Sequence, residues 1–315
     1  MNLGEVLKII PNPFCLKGCN KEERGENTEN DLCLEALSVD DRLPIRCVGE
    51  WAFQKIYLLV QYFGIFSKGM KNKWRGKLNY IEICSGPGRC INRKFGDEFN
   101  GTALAIIEHP AFSILQKALF FDADNNVVNI LNERIKTRDV KNAKAIQGDY
   151  YNDSDICKKI GKEIRQDSLN LVFIDPTDCS IPFQLVKSIK KILPMTDLII
   201  TLASMTDFNR NVGNALLNPN TYSKSIDKYS RFLDNPDFFT DFENIDFATQ
   251  GNFKELRKKF RTIYTGNLKE LGYQYFDFTS VNGFYDILFA TEHEKGLEFW
   301  RKATSIRFNG QRNLF

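Results

Sequence analysis

Five short apolar runs, separated by stretches of intervening chain, set the strongest limit on what this sequence can fold into. They are "NYIEIC" (79–84), "KALFFDAD" (117–124), "AKAIQGD" (143–149), "SLNLVFID" (168–175) and "TDLIITLA" (196–203). Between them, "NNVVNILNERIK" and "FQLVKSIKKIL" space their apolar residues as one face of a helix does. Strands that alternate with helices make parallel βαβ units, and hence a doubly wound α/β sheet. Upstream, "EWAFQKIYLLVQYFGIFSKGM" predicts a helix ending near Gly64 to Gly69. Residues 205–262 hold no clear strand and are rich in Asn, Asp, Phe and Tyr, which predicts a mostly helical insertion after the fifth strand. Residues 1–48 carry charge and cysteine but no periodicity. They are expected to form an irregular N-terminal segment ahead of one large domain over 49–315.

Near the C-terminus, "LGYQYFDFTSV" and "GFYDILFAT" flank Asn282-Gly283, a strong hairpin signal. A mostly parallel, seven-stranded sheet finished by an antiparallel hairpin is the Rossmann-like pattern of class I methyltransferases. It is not the all-parallel pattern of a dehydrogenase.

Open α/β sheets bind ligands outside the carboxyl ends of their strands, and the strand ends here carry suitable groups. Glu82 lies in the first strand, ahead of Ser85, Gly86 and Gly88. Two glycines let backbone turn tightly against a ligand, and the expected helix after them would favour a carboxylate or phosphate. Position 91 is Ile91, so Gly-x-Gly-x-x-Gly is incomplete and pyrophosphate binding is weakly supported. The second strand ends in Asp122, with Asp124 beyond it, where a carboxylate can take ribose hydroxyls. Asp149 ends the third strand, placed for an adenine amino group, and Asp175-Pro176-Thr177-Asp178 follows the fourth. One such acid is usually a loop residue or a helix cap. Four in order favour S-adenosylmethionine (SAM), with Asp175 and Asp178 beside its reactive end as candidate catalytic groups.

Several chemistries fit poorly. Thr177 and Asp178 stand where amino-methyltransferases of nucleic acids carry a second proline and a base-stacking aromatic. No Pro-Cys dipeptide supplies the nucleophile of cytosine-C5 chemistry, and Cys179 reads as a small buried residue. With only His109 and His293, a Ser-His-Asp triad or a histidine-rich metal site has little to draw on.

The stretches "DRLPIRCVGEWAFQKIYLLVQYFGIF", "YIEICSGPGR", "LFFDAD", "GDYYND", "FIDPTD" and "FYDILFATEHEKGLEFW" together resemble the three-Cys-motif partner proteins (TcmP) of bacteria and mobile elements. The resemblance implies a methyltransferase fold and a partner, a radical-SAM-like protein with a three-cysteine motif. It also implies a mobile-element or defence setting. The usual Asp-Leu-Phe-Ala-Gly-Pro-Gly turn becomes Glu82-Ile83-Cys84-Ser85-Gly86-Pro87-Gly88, which keeps the carboxylate. The usual Asp-Pro-Tyr-Gly-like turn becomes Asp175-Pro176-Thr177-Asp178, which bears on the substrate.

Cys15, Cys19, Cys33 and Cys47 could hold a tetrahedral zinc that orders the N-terminal segment, although their spacing lacks two tight Cys-x2-Cys pairs. The alternative is scattered reduced thiols. "KNKWRGK" (71–77) and "ELRKKFR" (255–261) mix cations with Trp74 and Phe260, as nucleic-acid surfaces do, although charge runs are more often solvated faces. A net charge of +3 diagnoses no such partner by itself. "MNLGEVLKIIPNPF" lacks the apolar core of a signal peptide and no run reaches transmembrane length, so a cytoplasmic protein with no membrane partner is expected. Three functions compete: a SAM-dependent methyltransferase, a non-catalytic docking module with that fold, and a zinc-stabilised nucleic-acid binder.

Overall fold

The computed structural model describes residues 6–15, 28–29, 32–204, 207–283 and 285–306. Strands β1 (Ile10–Pro11), β2 (Thr28–Glu29), β3 (Leu32–Leu37) and β4 (Pro44–Val48) occupy the segment expected to be irregular. Helix α1 (Trp51–Met70) follows, buried from Ile56 through Phe66 on more than one face. Its Phe63 meets Tyr80 edge-on at 6.0 Å, and its Tyr62 meets Trp300 at 5.6 Å. Each such buried ring contributes roughly 1.5–3 kcal/mol from burial alone. Strand β5 (Leu78–Ile83) is buried at every position, as a strand covered on both faces must be.

The glycine turn after β5 does not lead into the expected helix. It leads into strands β6 (Arg89–Asn92) and β7 (Asp97–Asn100), and only then into the short helix α2 (Thr102–Ile107). These strands join the N-terminal ones in a six-stranded sheet of order β1-β7-β6-β4-β3-β2. β6 runs parallel to β4, with Arg46 opposite Cys90 and Cys47 opposite Ile91.

A buried polar network holds this sheet. Glu98 Oε1 accepts from Arg89 Nε at 2.7 Å and Ser38 Oγ at 2.5 Å. Its Oε2 accepts from Asn12 Nδ2 at 3.1 Å and the Val39 amide at 2.9 Å. Arg89 Nη2 approaches Oε1 at 2.6 Å as an ion pair without hydrogen-bond geometry, and Nη1 donates to Asn100 at 2.9 Å. One carboxylate thus ties the N-terminal segment to the strand pair after the turn.

Strand β8 (Lys117–Asp122), helix α3 (Asn125–Lys136) and strand β9 (Ala143–Gln147) complete the first of two compact units, Met1–Gly148 with Phe299–Phe315. The second unit, Asp149–Glu298, holds α4 (Asp153–Glu163), β10 (Leu169–Ile174), α5 (Phe183–Ile192) and β11 (Thr196–Leu202). Four insertion helices come next: α6 (Asp207–Leu217), α7 (Ser223–Leu233), α8 (Phe242–Thr249) and α9 (Phe253–Glu270). The hairpin β12 (Tyr275–Val281) and β13 (Tyr285–Thr291) and helix α10 (Glu294–Thr304) end the described chain.

The larger sheet has seven strands in the order β12-β13-β11-β10-β5-β8-β9. β5, β8 and β9 pair in parallel, as do β10 and β11, while β13 runs antiparallel to both β11 and β12. Asn282 and Gly283 both take positive φ, 48° and 69°, as a tight hairpin turn demands. The mostly parallel sheet with its antiparallel finish is therefore present.

The insertion is helical, as expected, but α9 runs on to Glu270 and has its own aromatic core. Phe260 is 1% exposed, stacked on Phe232 at 5.7 Å and met edge-on by Phe208 at 4.7 Å. That corrects the reading of "ELRKKFR" as a stacking surface, because a buried ring cannot receive a base. Its Lys259 is bound to Asp241 and Glu243 besides. No helix among the described residues is long and apolar enough to cross a membrane.

Candidate cofactor-binding site

β5 ends at Ile83 and the chain then turns sharply, with φ of 68° at Cys84, 65° at Gly86 and 92° at Gly88. Left-handed backbone costs a non-glycine residue about 1–2 kcal/mol, so glycine relieves two of the three positions. A Cβ at Gly88 would also lie 2.8 Å from Leu131 Cδ1 and 2.9 Å from Leu104 Cγ. At Gly86 it would lie 3.3 Å from Arg46 Nη1. Gly88 is packed against apolar side chains, while Gly86 lies beneath a guanidinium.

Hydrogen bonds to neighbouring elements fix the turn. The Ser85 amide donates to the Phe121 carbonyl at 2.9 Å, and the Gly86 amide donates to Asp122 Oδ2 at 3.0 Å. The Pro87 carbonyl accepts from Arg134 Nη1 at 2.7 Å. Arg134, fully buried on α3, also grips Asp41 through Nε at 2.7 Å and Nη2 at 2.9 Å. Burial would raise the Asp41 carboxyl, but the hydrogen bonds and charge of Arg134 outweigh it and hold it below the ordinary range.

Asp122 Oδ1 accepts from the Asp124 amide at 3.2 Å, and Asp124 in turn caps α3 through the Asn126 amide at 2.8 Å. A carboxylate has about four lone-pair sites, so these two bonds leave acceptor capacity on both Asp122 oxygens. Ser85 is 6% exposed and its buried hydroxyl has no hydrogen-bond partner. Such an orphan costs about 1–3 kcal/mol, which a ligand's polar group would relieve. Glu82 is fully buried. Its carboxylate accepts from Tyr80 Oη at 2.8 Å and from Thr102 Oγ1, bracing the first residue of α2 against β5.

The remaining predicted residues belong to the second unit. Asp149 is exposed and accepts the Tyr151 amide at 2.9 Å. Asp175 directly follows β10 and is 8% exposed. Asp178 accepts from Lys228 Nζ at 3.2 Å, and the same ammonium lies 2.8 Å from Asp207. Asp207 also accepts from Tyr229 Oη at 2.7 Å and from the Cys179 amide at 3.2 Å. Burial would raise Asp207 and lower Lys228. The hydrogen bonds and charges they exchange win in both cases, holding Asp207 below and Lys228 above their ordinary values. A charged Lys228 therefore fixes the loop after β10 to insertion helix α7.

Sequence reasoning missed Arg134, Asp207, Lys228 and Tyr229. The strand-end rule reaches Asp207, which lies just past β11. Lys228 and Tyr229 sit in a helix with no local signature. Cys179 is fully buried, and burial together with Asp207 pushes its thiol far up, which fits a packing role. Burial draws His109 down to about 4, and its Nδ1 accepts the Ala111 amide, so it is a neutral structural group.

Cys15, Cys33 and Cys47 pack as apolar groups on the cluster of Ala36, Ile45 and Ile91. Cys19 lies outside the described residues. Among the described residues no group of three His, Cys, Asp or Glu side chains could hold a metal ion, so the expected zinc finds no site there. "KNKWRGK" is a largely exposed turn after α1, with Lys73 Nζ 6.0 Å from the Trp74 ring centre.

No family model matches the chain, and no curated protein does. Solved structures align with parts of the chain, at low identity. An O-methyltransferase family protein from Burkholderia thailandensis aligns over 76% of this chain and 55% of its own, at 11% identity and a TM-score of 0.37. The chain thus spans little more than half the length of that relative. A SAM-dependent methyltransferase from Aquifex aeolicus aligns over 72% and 89%, at 11% identity and a TM-score of 0.35. TrmK of M. capricolum, solved with S-adenosyl-homocysteine, aligns over 72% and 68%, at 12% identity and a TM-score of 0.32. Likenesses this distant carry no argument about function, which rests on the residues of this chain.

Proposed function

We propose that the protein is a SAM-dependent methyltransferase that binds its cofactor along the turn Ser85–Gly88. In this reading Asp122 takes the ribose hydroxyls and Asp149 the adenine amino group. Asp175 serves the methyl acceptor, and Asp178, tied to Lys228, shapes the loop beside it. The observation that carries the reading is the bond from the Gly86 amide to Asp122. It joins the ends of β5 and β8 in one cradle, with an orphaned Ser85 hydroxyl and spare carboxylate lone pairs. SAM, when bound, supplies an electrophilic methyl group. The chain's own task is to hold the cofactor, orient an amine or hydroxyl acceptor and take its proton. Kinship with the three-Cys-motif partner proteins and a radical-SAM-like partner extend this proposal, supported by the ordered series of sequence stretches; a nucleic acid is one candidate acceptor.

Replacing Asp122 with alanine tests it. The substitution removes charge-assisted acceptors, each worth about 1.5–3 kcal/mol, so SAM affinity should fall at least about tenfold. It also frees the Gly86 and Asp124 amides, so melting without ligand must be compared. Calorimetry should show weakened binding in a folded variant. Equal affinity in the two proteins would refute the assignment of Asp122.

A further inference from the structure

The strand pair inserted after the glycine turn brings a residue to the turn that strand-end reasoning does not reach. β6 begins at Arg89, immediately past Gly88, and pairs in parallel with β4. That register sets Arg46 opposite Cys90, and its side chain reaches back over the turn. A Cβ built on Gly86 would meet Arg46 Nη1 at 3.3 Å and Cδ at 3.6 Å. The position is not an accident of a loose chain. β4 is held by β3 on one side and β6 on the other, and Arg134 binds the carbonyls of both Pro44 and Pro87. Arg46 itself is half-buried, so its charge acts where water screens it incompletely. The same turn carries the Ser85 hydroxyl, buried and without a hydrogen-bond partner. A cation and a hydroxyl donor at one glycine turn form a receptor for a carboxylate, and a planar guanidinium suits that group by bidentate bonding.

We propose that Arg46 binds the amino-acid carboxylate of the cofactor, so that the N-terminal sheet completes the binding site. The inference rests on the SAM reading above and adds to it a residue and the group that residue recognises. The glycine turn then needs no helix N-terminus to receive a carboxylate, because the positive charge comes from β4 instead.

The test compares two ligands on three proteins by calorimetry. S-adenosyl-homocysteine carries the amino-acid carboxylate, whereas 5′-methylthioadenosine keeps the nucleoside and thioether without it. Arg46→Met should weaken S-adenosyl-homocysteine by about ten- to a hundredfold and leave methylthioadenosine within about twofold. Arg46→Lys, which keeps the charge but loses the fork, should fall between wild type and Arg46→Met for S-adenosyl-homocysteine only. Thermal melting of each variant without ligand shows that it is folded, and Arg46→Lys carries the test if Arg46→Met is not. Equal affinity in wild type and variants would overturn the role of Arg46 while leaving cofactor binding intact. An equal loss on both ligands would also overturn it, since the carboxylate would not be the group recognised. Failure of the wild type to bind either ligand would instead overturn the SAM reading, and this inference with it.

Discussion

Asp175→Asn is expected to lower methyl transfer by about a hundredfold to ten-thousandfold while changing SAM affinity little. Asp175 directly follows β10 and is almost buried, so its carboxylate is shielded from bulk water. Its neighbour Asp178 already accepts from Lys228, and Asp207 holds the same ammonium from the other side. In the proposed reading Asp175 takes a proton from an amine or hydroxyl acceptor. The amide keeps the shape and removes the base. Neither histidine offers a substitute, since His109 is buried and neutral and His293 lies on the surface ahead of α10. An acceptor can be sought by incubating cell extract with labelled SAM and sorting labelled RNA, DNA, protein and small molecules. Undiminished labelling by Asp175→Asn would remove the catalytic assignment. Tight SAM binding by a wild type that labels nothing would favour a docking module that keeps the methyltransferase fold.

The second large effect is on stability. Glu98→Ala should destabilise the protein by about 3–5 kcal/mol, because it leaves the Arg89 guanidinium buried without its counter-charge. Arg89 and Glu98 are 1% and 0% exposed, so solvent cannot take the place of the lost partner. The same deletion frees Asn12, Ser38 and the Val39 amide, and so loosens the N-terminal strands from β6 and β7. Urea denaturation should show a lower midpoint. Amide exchange should rise first in β1, β3 and β4, the strands this carboxylate helps to anchor. An unchanged midpoint would mean that the network contributes nothing net.

What the sequence reveals, and what it hides, follows from this same contrast. Strands β5, β10 and β11 are buried at every position, so they read directly as apolar runs. The hairpin reads from Asn282-Gly283, because two successive positive-φ positions admit few other residues. The six-stranded sheet follows a different rule. The inward residues of β6 and β7 include Arg89, Asn92, Glu98 and Asn100, with Arg89 bound to Glu98 and Asn100, so polarity there marks the interior instead of the surface. β3 pairs irregularly with β4, with a register shift between Leu32 and Leu37, so no clean alternation could appear in "LCLEAL". Among the candidate-site residues, Asp122, Asp175 and Gly86 are legible from their place at strand ends. Arg46, Arg134 and Lys228 are not, since each approaches the turn or loop from an element distant in sequence. Phe260 misled for the converse reason: cations surround it in the chain, but it faces the core of the insertion.

Cofactor binding by the intact protein is the central claim, and titration calorimetry of S-adenosyl-homocysteine into purified, ligand-stripped protein tests it most directly. The account predicts a saturable heat with about one equivalent bound and micromolar or tighter affinity, about −8 kcal/mol or more favourable. The absence of saturable binding to folded protein at millimolar ligand would contradict it.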